Sequence, residues 1–170
     1  MKFKECFNQQ GESPAQHIRA MEKVMKKKAV EYSLKAQKQE FPIVKIKRAE
    51  DAVNFARQFY YDDITIYESA FIILMNNAGN AMGYAKISQG GICGTIVDVR
   101  IVAKYAVETL ASSVILVHNH PSGNVTPSND DKELVKRLHQ ALMVLNVKFY
   151  DSIIITEDSY LSMRDEGICL

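Results

Sequence analysis

Cysteine is scarce in this chain. Cys6, Cys93 and Cys169 are odd in number and far apart, with no Cys-x-x-Cys among them. That excludes a disulfide framework and a cysteine-based metal site, and it reads as reduced thiols in a cytoplasmic protein. Long apolar runs are missing as well, none reaching the roughly 18 residues of a membrane-spanning helix. The start, Met1-Lys2-Phe3-Lys4-Glu5, lacks the apolar stretch of a secretion signal. Internal repeats and low-complexity tracts are absent too. What is present is an ordinary globular composition, 47% hydrophobic and 24% charged over 170 residues. Such a chain is long enough for one domain with an appendage, closed around a sizeable core and with no membrane partner.

The net charge of +1 hides an asymmetry. Residues 1–40 hold nine Lys/Arg against five Glu, whereas the remainder holds twelve Lys/Arg against fifteen Asp/Glu. Ser13-Pro14 is a helix start, with Ser as cap and Pro in the first turn, and nothing breaks the helix before about Gln39. Ile18, Met21, Met25, Ala29, Tyr32 and Ala36 form a narrow apolar stripe along it, which calls for cover from the main domain or from a second copy in a homodimer. Its lysines, Lys23, Lys26 and Lys27 among them, are either a solvated face or a weak contact for nucleic acid. Phe41-Pro42 marks the boundary, because the residue before proline is pushed out of the helical region. The expected organisation is therefore a basic helical arm, 1–40, and a domain, 41–170.

Within that domain the pattern alternates. Ile43–Ile46 reads as a short strand, followed by a helix from Ala49 to Tyr60. The stretch Glu68–Met75, uncharged after its first residue, reads as a buried strand. Asn76 to Asn80 is turn chemistry, and Ala81–Ile87 returns as the antiparallel partner. Val99, Val102, Ala103, Ala106, Val107 and Leu110 define a helix that ends near Ala111, and the strand at 113–118 is apolar on both faces, as in an interior strand between helices. Another helix spans about 128–145, and strands follow at 151–156 and 160–163. This order predicts an α/β sandwich, a mixed sheet with helices on both faces.

The chain is organised around the stretch from His118 to Asp131. His118 and His120 end the central strand, and residues two apart on a strand share a face. The helix after them carries a stripe of Leu134, Val135, Leu138, Ala141, Leu142 and Leu145, which places Asp131, three and four residues before it begins, on the inward side. A carboxylate turned inward costs several kcal/mol unless donors or a cation meet it. Two imidazoles and one carboxylate suit zinc, and three protein ligands leave a fourth position open, the catalytic pattern. Ser128-x-x-Asp131 also reads as a capping box, a role compatible with ligation.

His118-x-His120-x7-Ser128-x2-Asp131 resembles the signature of the JAMM (JAB/MPN) metalloproteases. His118-Asn-His-Pro-Ser-Gly with Pro127-Ser128 resembles the bacterial RadC-like branch, and the likeness runs from about residue 41 to 170. It implies a JAB/MPN-like, cytidine-deaminase-like α/β sandwich and a zinc metallopeptidase or isopeptidase in which one metal-bound water attacks an amide bond of a protein or peptide substrate. It further implies His118, His120 and Asp131 as ligands. Glu68, which by itself reads equally as a strand-entry charge, becomes the general base. Ser128, by itself equally a helix cap, becomes the oxyanion stabiliser. Asn119 and Ser122 are weaker candidates for positioning. The same resemblance carries an alternative, an accessory role in DNA repair or recombination with a structural or vestigial metal site. Two departures bear on activity: Asp151-Ser152 stands where the family commonly has Asp-His, and a lysine-rich helix stands where full-length relatives carry a helix-hairpin-helix module. A zinc deaminase is disfavoured, because His-x-Glu and Pro-Cys-x-x-Cys are both missing.

Overall fold

A computed structural model of the chain describes residues 41–60, 64–91 and 95–168, together with Ser13, Ala15 and Lys35. The helix expected from Ser13 to Gln39 otherwise lies outside the described residues, and the architecture is that of the unit Lys38–Leu170. Its strands are β1 (Val44–Lys45), β2 (Ser69–Met75), β3 (Asn80–Gln89), β4 (Ser113–Asn119), β5 (Lys148–Ile155) and β6 (Tyr160–Ser162). Its helices are α1 (Ala49–Ala56), α2 (Val99–Glu108) and α3 (Asn129–Met143). No helix among the described residues is long and apolar enough to cross a membrane.

The six strands form one sheet in the order β1-β3-β2-β4-β5-β6. Neighbours are antiparallel except for β4 and β5, which run parallel and are joined through α3. A parallel pair needs such a crossover, whereas β2 and β3 need only the turn at Asn76–Asn80. The sheet is mixed and helices lie on both faces, as the order of elements predicted.

Period-two alternation sorts the side chains into two cores. On one face Ala52, Val53, Phe55 and Ala56 of α1 meet Phe71, Ile73, Ile115, Val117, Ile153 and Ile155. On the other, Val102 and Ala106 of α2 and Val135, Leu138 and Leu142 of α3 meet Ala70, Ile72, Leu74, Val114 and Leu116. Every residue of β2 and β4 is buried, since both strands lie between helical layers.

Helix ends differ from expectation by a few residues. The helix expected to reach Tyr60 ends at Ala56, although Phe59 remains buried, stacked on Tyr84 with ring centroids 3.5 Å apart. Leu145, expected in the stripe of α3, is exposed. The helix stops at Met143 and the chain turns through Asn146 at φ 56°, a left-handed conformation that Asn tolerates.

Candidate metal centre

His118 is the sixth residue of β4 and His120 follows its end, where the His120 amide still donates to the Ile155 carbonyl at 3.0 Å. The strand is therefore effectively extended by one residue, and both imidazoles project from the face that α3 covers. Asp131 sits in the first turn of α3. Docking Val135, Leu138 and Leu142 on the sheet contributes roughly 1.5–3 kcal/mol per side chain, which carries Asp131 inward with them. The approach from both sides is thus local in origin: alternation aims the histidines, helical periodicity the carboxylate.

The three side chains meet. His118 Nε2 lies 3.1 Å from His120 Nε2 and 3.1 Å from Asp131 Oδ1, and His120 Nε2 lies 3.7 Å from Asp131 Oδ2. One ligand atom from each residue falls within 4.8 Å of the others. The side chains are nearly enclosed, with 4%, 16% and 13% of their surfaces exposed for His118, His120 and Asp131.

The hydrogen bonds around them decide what the cluster can hold. His120 Nδ1 faces the Asn124 carbonyl at 2.7 Å, and because a carbonyl only accepts, the neutral ring carries its proton there and presents the Nε2 lone pair. Ser128 and Asp131 form a full capping box. The Asp131 amide donates to Ser128 Oγ at 3.1 Å, while the Ser128 amide and hydroxyl donate to Asp131 Oδ2 at 2.7 and 2.6 Å. Burial pushes the Asp131 carboxyl up, but donation from His118 and Ser128 outweighs it and holds the group ionised well below the ordinary carboxylate range. A cation that displaces the proton from His118 Nε2 would meet one ligand atom from each of the three side chains. Two ligands about 2.0–2.1 Å from one tetrahedral ion would be about 3.3 Å apart, close to the separations found. The residues present fit a zinc ion, with the Asn124 carbonyl orienting one ligand from behind.

Capping and ligation are thus not rivals. Oδ2 of Asp131 is bound by Ser128, and Oδ1 is the atom nearer His118. The hydroxyl proton of Ser128 is committed to that carboxylate, so a role on substrate would have to redirect it.

Glu68 is half-buried one residue before β2. Ala70 is the first β2 residue paired with β4, opposite His118, and Glu68 lies two residues before it with the same face parity. Ser152 lies on the same side of the sheet, since Leu116 pairs with Ser152 and His118 with Ile154 in β5. Ser152 Oγ and His118 Nδ1 are both buried without a hydrogen-bond partner among the described residues.

Asn119 carries more than its sequence context suggests. It is fully buried and points to the face opposite the histidines. Its Nδ2 donates to the carbonyls of Ile64 and Tyr67 at 2.6 and 2.8 Å, and its Oδ1 accepts from the Ser69 amide at 2.7 Å. The only sequence signal is a polar amide closing an otherwise apolar strand.

A family model for the RadC-like JAB domain matches residues 46–168. Among curated proteins, a "UPF0758 protein" of Flavobacterium johnsoniae is 46% identical over 102 residues, 60% of this chain and 44% of that protein. One of Porphyromonas gingivalis is 40% identical over 102 residues, 59% of this chain and 45% of that protein. One of Syntrophomonas wolfei is 35% identical over 125 residues, 72% of this chain and 53% of that protein. The chain spans about half the length of these relatives.

Proposed function

The chain belongs to the RadC-like JAB domain family, and from that membership we propose a zinc-dependent hydrolase of JAMM type that cleaves an amide or isopeptide bond. The observation that carries the reading is the convergence of His118, His120 and Asp131, one ligand atom each within 4.8 Å. A zinc ion held there supplies Lewis acidity and lowers the pKa of a bound water to about 7.

The chain's own residues supply the rest. His120 presents Nε2 because the Asn124 carbonyl holds the proton on Nδ1. Asp131 brings a full negative charge, with the Ser128 amide and hydroxyl donating to its Oδ2 at 2.7 and 2.6 Å. Glu68, two residues before the Ala70–His118 pair, accepts the proton from the attacking water and hands it to the leaving amine. Ser128, at the rim of the same site, would serve a developing oxyanion only by turning its hydroxyl away from Asp131 Oδ2, which it now bonds at 2.6 Å. The substrate in this reading is a protein or peptide.

A second reading, an accessory role in DNA repair or recombination with a structural metal site, is favoured by Ser152 standing where the family commonly has histidine.

Elemental analysis tests the first reading. We expect about one zinc per chain in wild type and in Glu68→Gln, and a clear loss in His118→Ala and His120→Ala. Equal metal in all four proteins would sink the site. On any peptide or isopeptide found to be cleaved, Glu68→Gln is expected to lower turnover by at least about 10²-fold, and undiminished turnover would reassign the base.

A further inference from the structure

We infer that Asn119 is a positioning residue, the joint that sets the proposed base Glu68 against the metal ligands. The inference rests on the functional reading above, and three hydrogen bonds carry it. Asn119 stands between His118 and His120 in the chain, and its side chain turns away from them, through the sheet, to the segment that leads into β2. There it grips the residues on both sides of Glu68, the Tyr67 carbonyl at 2.8 Å and the Ser69 amide at 2.7 Å, and the Ile64 carbonyl at 2.6 Å besides. Two bonds to the flanking backbone hold the Cα of Glu68 in place relative to β4.

The chemistry of the side chain fits this task. An amide offers two donors and an acceptor at fixed angles, and all three directions are met here. Leucine or valine in its place would leave two carbonyls and an amide dehydrated. Aspartate would accept from Ser69 but repel both carbonyls. The ordinary ladder cannot substitute, because the Ser69 amide is turned to the Asn119 side chain instead of to a strand. Tyr60 braces the same seam, its hydroxyl lying 3.0 Å from the Ser69 carbonyl and 3.2 Å from the Val117 carbonyl. One residue therefore ties the ligand-bearing strand end to the base-bearing strand start. A shift of about 1 Å between such groups is enough to cost about 10²-fold in rate.

The test is a double-mutant cycle on the zinc-loaded full chain, reading the affinity for acetohydroxamic acid by calorimetry. This probe binds zinc as its anion and needs a neighbouring base to take its proton. Wild type, Glu68→Gln, Asn119→Ala and the double variant are compared, with zinc content and thermal unfolding measured alongside. Zinc content should be the same in all four. Glu68→Gln should weaken the hydroxamate about tenfold, Asn119→Ala should weaken it comparably, and the double variant should be no weaker than Glu68→Gln alone. Wild-type affinity in Asn119→Ala would overturn the proposal, as would losses that simply add. An unchanged affinity in Glu68→Gln would instead overturn the assignment of the base, and this proposal with it. Should Asn119→Ala not fold, Asn119→Ser takes its place; failure of both to fold would make the side chain a support of the fold alone and overturn the inference.

Discussion

Two buried or bonded aspartates give opposite pH signatures. Asp151 is 1% exposed, and burial raises its carboxyl above the ordinary value against the donation of the Ser162 hydroxyl, at 2.6 Å, and the Arg164 amide, at 3.1 Å. A carboxyl with a raised folded-state pKa binds its proton more tightly in the folded protein. Its contribution is fully present below the unfolded value of about 3.9 and is lost as pH rises through the folded pKa. Wild type should therefore lose stability relative to Asp151→Asn as pH rises from about 4, as measured by denaturant unfolding at a series of pH values. A difference that does not change with pH would show that the hydrogen bonds cancel the burial. Asp98 behaves the other way. The Arg100 guanidinium and the Arg100 amide donate to it and lower its pKa to about 2. Its contribution is present above about 3.9 and is lost as pH falls towards 2, so Asp98→Asn should match the pH profile of wild type except in that acid window.

At the scale of the element, the β2–β3 turn depends on one glycine. Gly79 has φ 77°, and a Cβ there would lie 3.3 Å from the Ile46 carbonyl oxygen. Asn76 organises the same turn, its Oδ1 accepting from the amides of Ala78 and Asn80 at 3.0 and 3.1 Å. Gly79→Ala should cost about 1–2 kcal/mol from the left-handed backbone alone, with the crowding added, and thermal unfolding will measure it. Helix α3 carries more. Leu138 is fully buried between helix and sheet, so Leu138→Ala should cost about 2–5 kcal/mol. Because this docking also delivers Asp131, the same variant should bind zinc more weakly, whereas Gly79→Ala, in the turn at the far end of β2 from Glu68, should leave zinc affinity unchanged. Chelator competition on both variants distinguishes loss of the site from loss of stability.

At the scale of the molecule, the lysine-rich arm remains an expectation from sequence. If it touches nucleic acid, affinity should fall steeply between about 50 and 200 mM salt, and reversing Lys23, Lys26 and Lys27 to Glu should abolish it. We expect weak binding at most, with the arm serving packing or dimerisation, and tight binding lost in the triple variant would move the functional weight to the second reading. The convergence of His118, His120 and Asp131 was legible without coordinates because each obeys a local period, two along β4 and 3.6 along α3, and because apolar neighbours fix which way each period points. The mixed sheet was legible for the same reason: uncharged strands alternating with amphipathic helices leave few other ways to cover both faces. Where helices stop was not, since α1 ends at Ala56 and α3 at Met143 through backbone geometry that no periodicity announces. Least legible was Asn119. Its partners lie 50 to 55 residues away in the chain, and it takes the antiparallel placement of β2 beside β4 to bring three backbone groups within reach of one amide. Local pattern determined which side chains face the centre; only the long-range pairing decided which backbone groups Asn119 binds.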